Sequence, residues 1–165
     1  MSSKNSFHFI NFPKSSLHEL LSWIEDEDDL ILWSGNTFEN AFSRLIFLHH
    51  LERKNLNSFA YVNHKNELFA YGEIVRTKPK IATICRVIVH PGKRGMGIGQ
   101  KFCKELIDWI QKKDEYNWIS LNTLRNNLSA YQCYNKLGFH EVNVQPQARF
   151  LNGSWQDLII MRKKI

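Results

Sequence analysis

The chain has 165 residues, 22 Lys+Arg against 16 Asp+Glu for a formal net charge of +6, and 43% hydrophobic residues. That length fits one domain spanning residues 1–165, and apolar residues spread along the whole chain exclude a disordered protein. No apolar run approaches the roughly 20 residues of a membrane helix, no apolar leader follows Met1, and the basic residues are scattered, which argues against a membrane protein, a secreted one and a nucleic-acid binder.

Phe7 to Phe12 reads as a first strand ending at Pro13. Ser16 and Glu19 fit a capping box for a helix through Leu17, Leu20, Leu21 and Ile24, closed by the acidic run Glu25 to Asp29. Leu30 to Trp33 is a short apolar stretch before the turn signal Ser34-Gly35-Asn36. Thr37 or Asn40 is expected to cap the next helix, with Phe38, Phe42, Leu45, Ile46, Leu48 and His49 as its apolar stripe. Three strands follow: Ser58 to Asn63, Glu67 to Val75 after a turn at Asn63 to Asn66, and Ile81 to His90, rich in β-branched residues.

A glycine-rich loop then runs from Gly92 to Gly99 into a long helix reaching about Lys113, with Phe102, Cys103, Leu106, Ile107 and Ile110 on one face. Trp118 to Leu121 reads as a strand, and Ser129 opens a short helix stopped by Gly138. Phe139 to Val144 and Asp157 to Met161 are two last strands, joined through Pro146 and Gly153. The expected fold class is mixed α/β, with a strand meander, two strand–helix units and a closing hairpin.

Strand, glycine loop and helix in direct succession form an anion cradle. Glycine lets the backbone curl close to a ligand, and the free N–H groups at a helix start point at phosphate oxygens. The two common nucleotide motifs fail here. Gln100 stands where the GxGxxG pattern needs its last glycine, and Gly99 is followed by Gln100 and Lys101 rather than Lys and Ser or Thr.

Arg94-Gly95-Met96-Gly97-Ile98-Gly99 matches the Arg/Gln-x-x-Gly-x-Gly/Ala signature of the GNAT superfamily of N-acetyltransferases. The lead-in Arg86 to Pro91, and Asn127, Ala130, Tyr134 and Gly138-Phe139 downstream, resemble the family's cofactor strand and its second motif. The resemblance is close from Ile81 to Val142; before that, only the order of elements fits. It implies a mostly antiparallel central sheet with a splayed parallel pair of strands, here Ile81–His90 and Trp118–Leu121, and helices on both faces.

The resemblance further implies an acetyl-CoA-dependent acetyltransferase with coenzyme A as co-substrate and no metal. Backbone groups of Val87, Ile88 and Val89 would pair with the pantetheine arm. N–H groups from Arg94 through Gly95, Met96, Gly97, Ile98 and Gly99 to Gln100 would hold the pyrophosphate, with Lys93 beside them. Asn127 would bond the cofactor arm and Tyr134 would protonate the leaving thiolate. The acceptor is expected to be a small-molecule amine or a peptide or protein N-terminus, the protein cytoplasmic, and the molecule a monomer or homodimer. A lysine side chain, a longer acyl group or a noncatalytic acyl-CoA-binding role are the alternatives.

Several of these residues carry a second reading. Tyr134 shares helical spacing with Ala130, Cys133 and Leu137 and reads also as core, and Asn127 reads also as a helix cap. The cofactor strand lacks a glutamate, so Glu73 on the neighbouring strand is the candidate general base; it reads equally as an exposed strand residue. Trp33, Phe38 and Arg149 are candidate substrate residues, Arg149 for an anionic acceptor; Trp33 and Phe38 read also as core cover. Cys85, Cys103 and Cys133 form no CxxC pair and read as small apolar residues in a reducing compartment, and His49-His50 lacks a second ligand pair for zinc.

Overall fold

The computed structural model describes residues 6–38 and 41–165. Seven strands form one sheet: β1 (His8–Asn11), β2 (Leu56–Val62), β3 (Leu68–Lys78), β4 (Ile81–Val89), β5 (Trp118–Leu124), β6 (His140–Leu151) and β7 (Ser154–Lys164). Their order is β1-β2-β3-β4-β5-β7-β6, antiparallel throughout except for β4 and β5. The parallel pair holds only from Ile81↔Trp118 to Ile84↔Leu121, and beyond that the two strands part. The expected splayed pair is therefore present.

Helices α1 (Leu17–Leu21), α2 (Glu27–Ser34) and α3 (Arg44–Leu51) cover one face, where Leu17, Leu20, Trp33 and Phe47 pack with Tyr71. Helices α4 (Ile98–Lys113) and α5 (Leu128–Lys136) cover the other. All five residues of the predicted α4 stripe are buried there, joined by Ile98. Each contributes about 1.5–3 kcal/mol of apolar burial where the side chain is large.

The N-terminal third departs from the expectations. Ser16 makes no side-chain cap; the Glu19 carboxylate instead takes the Leu68 N–H at 3.3 Å. The acidic run opens a helix rather than closing one. Asp26 accepts the Asp29 N–H at 2.8 Å, Asp29 accepts the Glu25 N–H at 3.0 Å, and three carboxylates sit in the first turn, where the helix dipole favours them. Leu30 to Trp33 is thus helical.

For α3 the cap is Ser43, which accepts the Ile46 N–H at 3.2 Å, not Thr37; Asn40 lies outside the described residues. The buried side chains of α3 are Phe47 and His50, while Leu45, placed in the expected stripe, is 77% exposed. Pro146 does not join two strands. It lies within β6, beside a register irregularity between Gln145 and Arg149. β6 is an edge strand, where a residue without an N–H leaves no ladder bond broken.

Candidate active site

The site begins with a defect in β4. Cys85 pairs with Glu73 and Ile88 with Tyr71, so Arg86 and Val87 together oppose Gly72. Arg86 adopts φ +50°, a left-handed conformation that costs a non-glycine residue about 1–3 kcal/mol. Three contacts hold it: its carbonyl accepts the Trp33 indole N–H at 2.8 Å, its Nε donates to Glu73 at 2.6 Å, and its Nη1 donates to Thr37 at 3.2 Å. Gly72 is required opposite, because a Cβ there would lie 2.8 Å from the Phe102 ring.

Past this bulge β4 has lost β5, and its outer edge is free. His90 gives its N–H to Phe69 on the β3 side, so strand alternation turns the N–H of Val89 to the open edge. The Val89 carbonyl points the same way and accepts from Arg94 Nε at 3.2 Å.

Two cavities occupy the cleft. The larger, about 560 Å³, is lined by Val87, Ile88, Val89, Arg94, Gly95, Gly97 and residues 98–100, with Lys93, Trp23 and Asp29 at its margin. Gly95 and Gly97 adopt φ +77° and +76°, and a Cβ added at either would meet nothing within 4 Å. The N–H groups from Arg94 to Gly97 find no acceptor among the described residues, and Gly97 brings no side-chain cap to α4. This open, donor-rich floor fits the pyrophosphate of coenzyme A. Met96 faces outward, 61% exposed, and does not line the cavity.

The smaller cavity, about 390 Å³, lies between α2, the bulge, β5 and β6. Its walls include Thr37, Arg86, Asn122, Thr123 and Arg149. Of these, Asn122 and Thr123 had no sequence signal, since only the splay of β5 from β4 turns them into a wall; Thr37, expected as a helix cap, lines the cavity instead. Phe38 is not part of it; the ring is buried against Phe42, Phe47 and His50.

The two cavities share Leu32, Trp33, Val87, Asn127, Ala130 and Tyr134. Asn127 caps α5, accepting the Ala130 N–H at 3.3 Å, and its amide N–H₂ meets no acceptor among the described residues. Tyr134 packs edge-on against Phe139, and no hydrogen bond to its hydroxyl forms within the described residues. Burial, with the Cys103, Cys133 and Cys85 thiols nearby, pushes its phenol well above the ordinary value of 10. Cys103 is buried, Cys85 and Cys133 are half-buried, and Cys103 and Cys133 line the larger cavity.

Glu73 is not in the cleft. It is 0% exposed and lines neither cavity. One oxygen accepts the Tyr71 hydroxyl at 2.6 Å, the other takes the Arg86 guanidinium, and His50 Nε2 lies 3.1 Å from both. Burial works to raise its pKa, but the His50 bond and the Arg86 charge outweigh it and hold the carboxyl below 4.5.

A cradle for a phosphate-bearing donor, meeting a second chamber at one tyrosine, is the layout of a group-transfer enzyme. The family described as Acetyltransferase (GNAT) family matches residues 15–139, more than half of the chain, and the protein belongs to that family. It is an acetyl-CoA-dependent N-acetyltransferase.

Among curated relatives, the chain is 25% identical over 139 residues to an N-acetyltransferase of the alanine of ribosomal protein bS18 from Escherichia coli, covering 84% of each chain. It is 28% identical over 79 residues to an L-methionine sulfoximine/L-methionine sulfone acetyltransferase from Salmonella typhimurium, spanning 48% of this chain and 46% of that one. The fold is similar to spermidine N-acetyltransferase from Vibrio cholerae in complex with CoA and spermine, at TM-score 0.81, 16% identity, and 96% and 95% coverage.

Proposed function

We propose that the protein transfers the acetyl group of acetyl-CoA directly to a primary amine of a small molecule or a polypeptide N-terminus. The coenzyme takes the larger cavity and the amine the smaller. The observation that carries this reading is the wall the two cavities share, with Trp33, Val87, Asn127 and Tyr134 where donor and acceptor must meet. The names of the curated relatives support both kinds of acceptor. Three unpaired cysteines support a reducing compartment, the cytosol.

Acetyl-CoA supplies an activated thioester carbonyl. The loop N–H groups from Arg94 to Gln100 hold the pyrophosphate, with Lys93 and Arg94 adding charge. The free edge of β4 at Val87 to Val89 binds the amides of the cofactor arm as an added strand would, and the Asn127 amide supports the same arm. The Val89 N–H is the donor best aimed to polarise the carbonyl.

Tyr134 stays neutral throughout the physiological range and presents its O–H to the sulfur as negative charge develops there. With its pKa raised well above 10, full transfer to a thiolate, near 8.5 for an ordinary thiol, is uphill. Hydrogen-bond donation is therefore its main contribution. Glu73 serves as a positioning group that holds Arg86 and the bulge, while the acceptor loses its proton to water along the polar wall of Thr37, Asn122 and Thr123.

Thermal denaturation with acetyl-CoA tests the reading. Ligand at 100 times its Kd adds about 2.7 kcal/mol, or roughly 5–10 °C for a chain of this size. Acetyl-CoA and CoA raise the melting temperature while ATP does not, and thiol release then follows amine addition. Absence of a shift with either coenzyme overturns the reading. A shift without thiol release for any amine or peptide leaves an acyl-CoA-binding protein instead.

A further inference from the structure

We infer that the amine entering the smaller cavity also carries a carboxylate, which Arg149 binds. This rests on the acetyltransferase reading above and narrows its acceptor to small amino acids.

The argument begins with charge. Among the described residues that line the smaller cavity, the ionised side chains are two arginines, Arg86 and Arg149, and no aspartate or glutamate. Arg86 is already paired, since its guanidinium is bound to the buried Glu73 carboxylate. Arg149 makes no ion pair within the described residues. Among the described residues, its one hydrogen bond runs from Nη1 to the Ala148 carbonyl at 2.8 Å, and its buried Nε finds no acceptor. A guanidinium has five donors in a planar fork, and most of this fork is unused.

The placement of Arg149 is built into the fold. Its Nε and Nη2 lie 3.3 Å from where a Cβ on residue 35 would stand, and that residue is a glycine at φ +58°. A Cβ at this position would press on the arginine head and make it give by a few tenths of an ångström. On β6, the register irregularity between Gln145 and Arg149, with Gln147 at φ +47°, interrupts the pairing with β7 just before it. Two local departures from regular backbone therefore converge on one charge that has no ion-pair partner among the described residues.

A buried donor without a partner is costly, and an anion that satisfies it recovers that cost. Carboxylate is the anion whose two oxygens match the fork. The rest of the wall, with Thr37, Asn122 and Thr123, offers neutral hydrogen bonds. The same cavity disfavours a polyamine: a second ammonium group would meet Arg149 and no carboxylate. At about 390 Å³ it lies at the low end of the range for small-molecule sites.

The test measures thiol release at fixed acetyl-CoA with α-, β- and γ-amino acids, each beside its amide, with spermidine, and with a short C-terminally amidated peptide. The best amino acid is expected to exceed its own amide by roughly 10- to 100-fold in kcat/KM. Arg149→Gln collapses that ratio through KM while acetyl-CoA still raises the melting temperature; Arg149→Lys restores part of it. If the variant does not fold, the wild-type ratio alone decides. Spermidine, the peptide or the amides accepted as well as the amino acids would overturn the inference. So would an equal loss for both members of each pair in Arg149→Gln, or acetyl-CoA binding with no amino acid acetylated. Absence of acetyl-CoA binding instead removes the acetyltransferase reading beneath it.

Discussion

Replacing Glu73 by glutamine separates two roles for one carboxylate. The change keeps the volume and removes the charge. It leaves the half-buried Arg86 guanidinium and the buried His50 ring against a neutral amide that also presents an N–H₂ to them. Breaking a buried pair by removing one partner costs about 3–5 kcal/mol. At roughly 2–4 °C per kcal/mol for a chain of this size, the melting temperature at pH 7 should fall by about 6–20 °C. Because the folded-state pKa of Glu73 lies below its ordinary 4.5, its contribution is fully present above pH 4.5 and is lost as pH falls through the folded value. The gap between wild type and variant should therefore close in acid. Melting curves from pH 3 to pH 8, paired with pH–rate profiles, check both halves. A variant with an unchanged melting temperature, whose rate drops mainly at low pH, would mark Glu73 as the proton acceptor and refute the positioning role.

Tyr134→Phe should lower kcat roughly 100-fold while acetyl-CoA affinity and melting temperature stay close to wild type, since no bond to the hydroxyl forms within the described residues. Steady-state kinetics with calorimetric titration of the coenzyme decide this, and an unchanged kcat would sink the donor role. Gly97→Ala forces φ +76° on a residue with a Cβ, at about 1–2 kcal/mol, and sets a methyl group in the open floor of the cradle. Coenzyme affinity should weaken at least tenfold by isothermal titration (a tenfold change is about 1.4 kcal/mol). Unchanged affinity would show that the pyrophosphate lies elsewhere.

The stretch from Ile81 to Phe139 was legible because its signals are local. Glycines at fixed spacing, a helical stripe and a capping asparagine each act within a few residues. The first fifty residues misled for a physical reason. An acidic run ends one helix or begins the next equally well by composition, and only the geometry of Asp26 and Asp29 decides. The aromatics Phe38 and Phe42 precede α3 and pack into the same cluster from a loop, so their spacing imitated a helix face that Phe47 and His50 provide. Glu73 was read as an exposed strand residue or a base because its partners His50 and Arg86 lie 23 and 13 residues away. Pairings over such distances leave no local pattern. Of the walls of the smaller cavity, Trp33 and Arg149 were legible, whereas Asn122 and Thr123 of β5 left no pattern on the same ground.

The bulge at Arg86 also changes how β4 counts. Before it, even-numbered Ala82 and Ile84 face α4; after it, odd-numbered Val87 and Val89 do. The strand is written in two phases, and one residue is the shift between them. A substitution in β4 alters one contact, but a single-residue deletion at the bulge would erase the shift and leave Ala82, Ile84, Val87 and Val89 in one regular alternation. Val87 and Val89 would keep facing α4, but the local kink and twist of the bulge would go, and with them the contacts of residue 86 to Trp33, Thr37 and Glu73. Lineages of this protein should thus tolerate exchange of side chains along β4 far better than any change in its length.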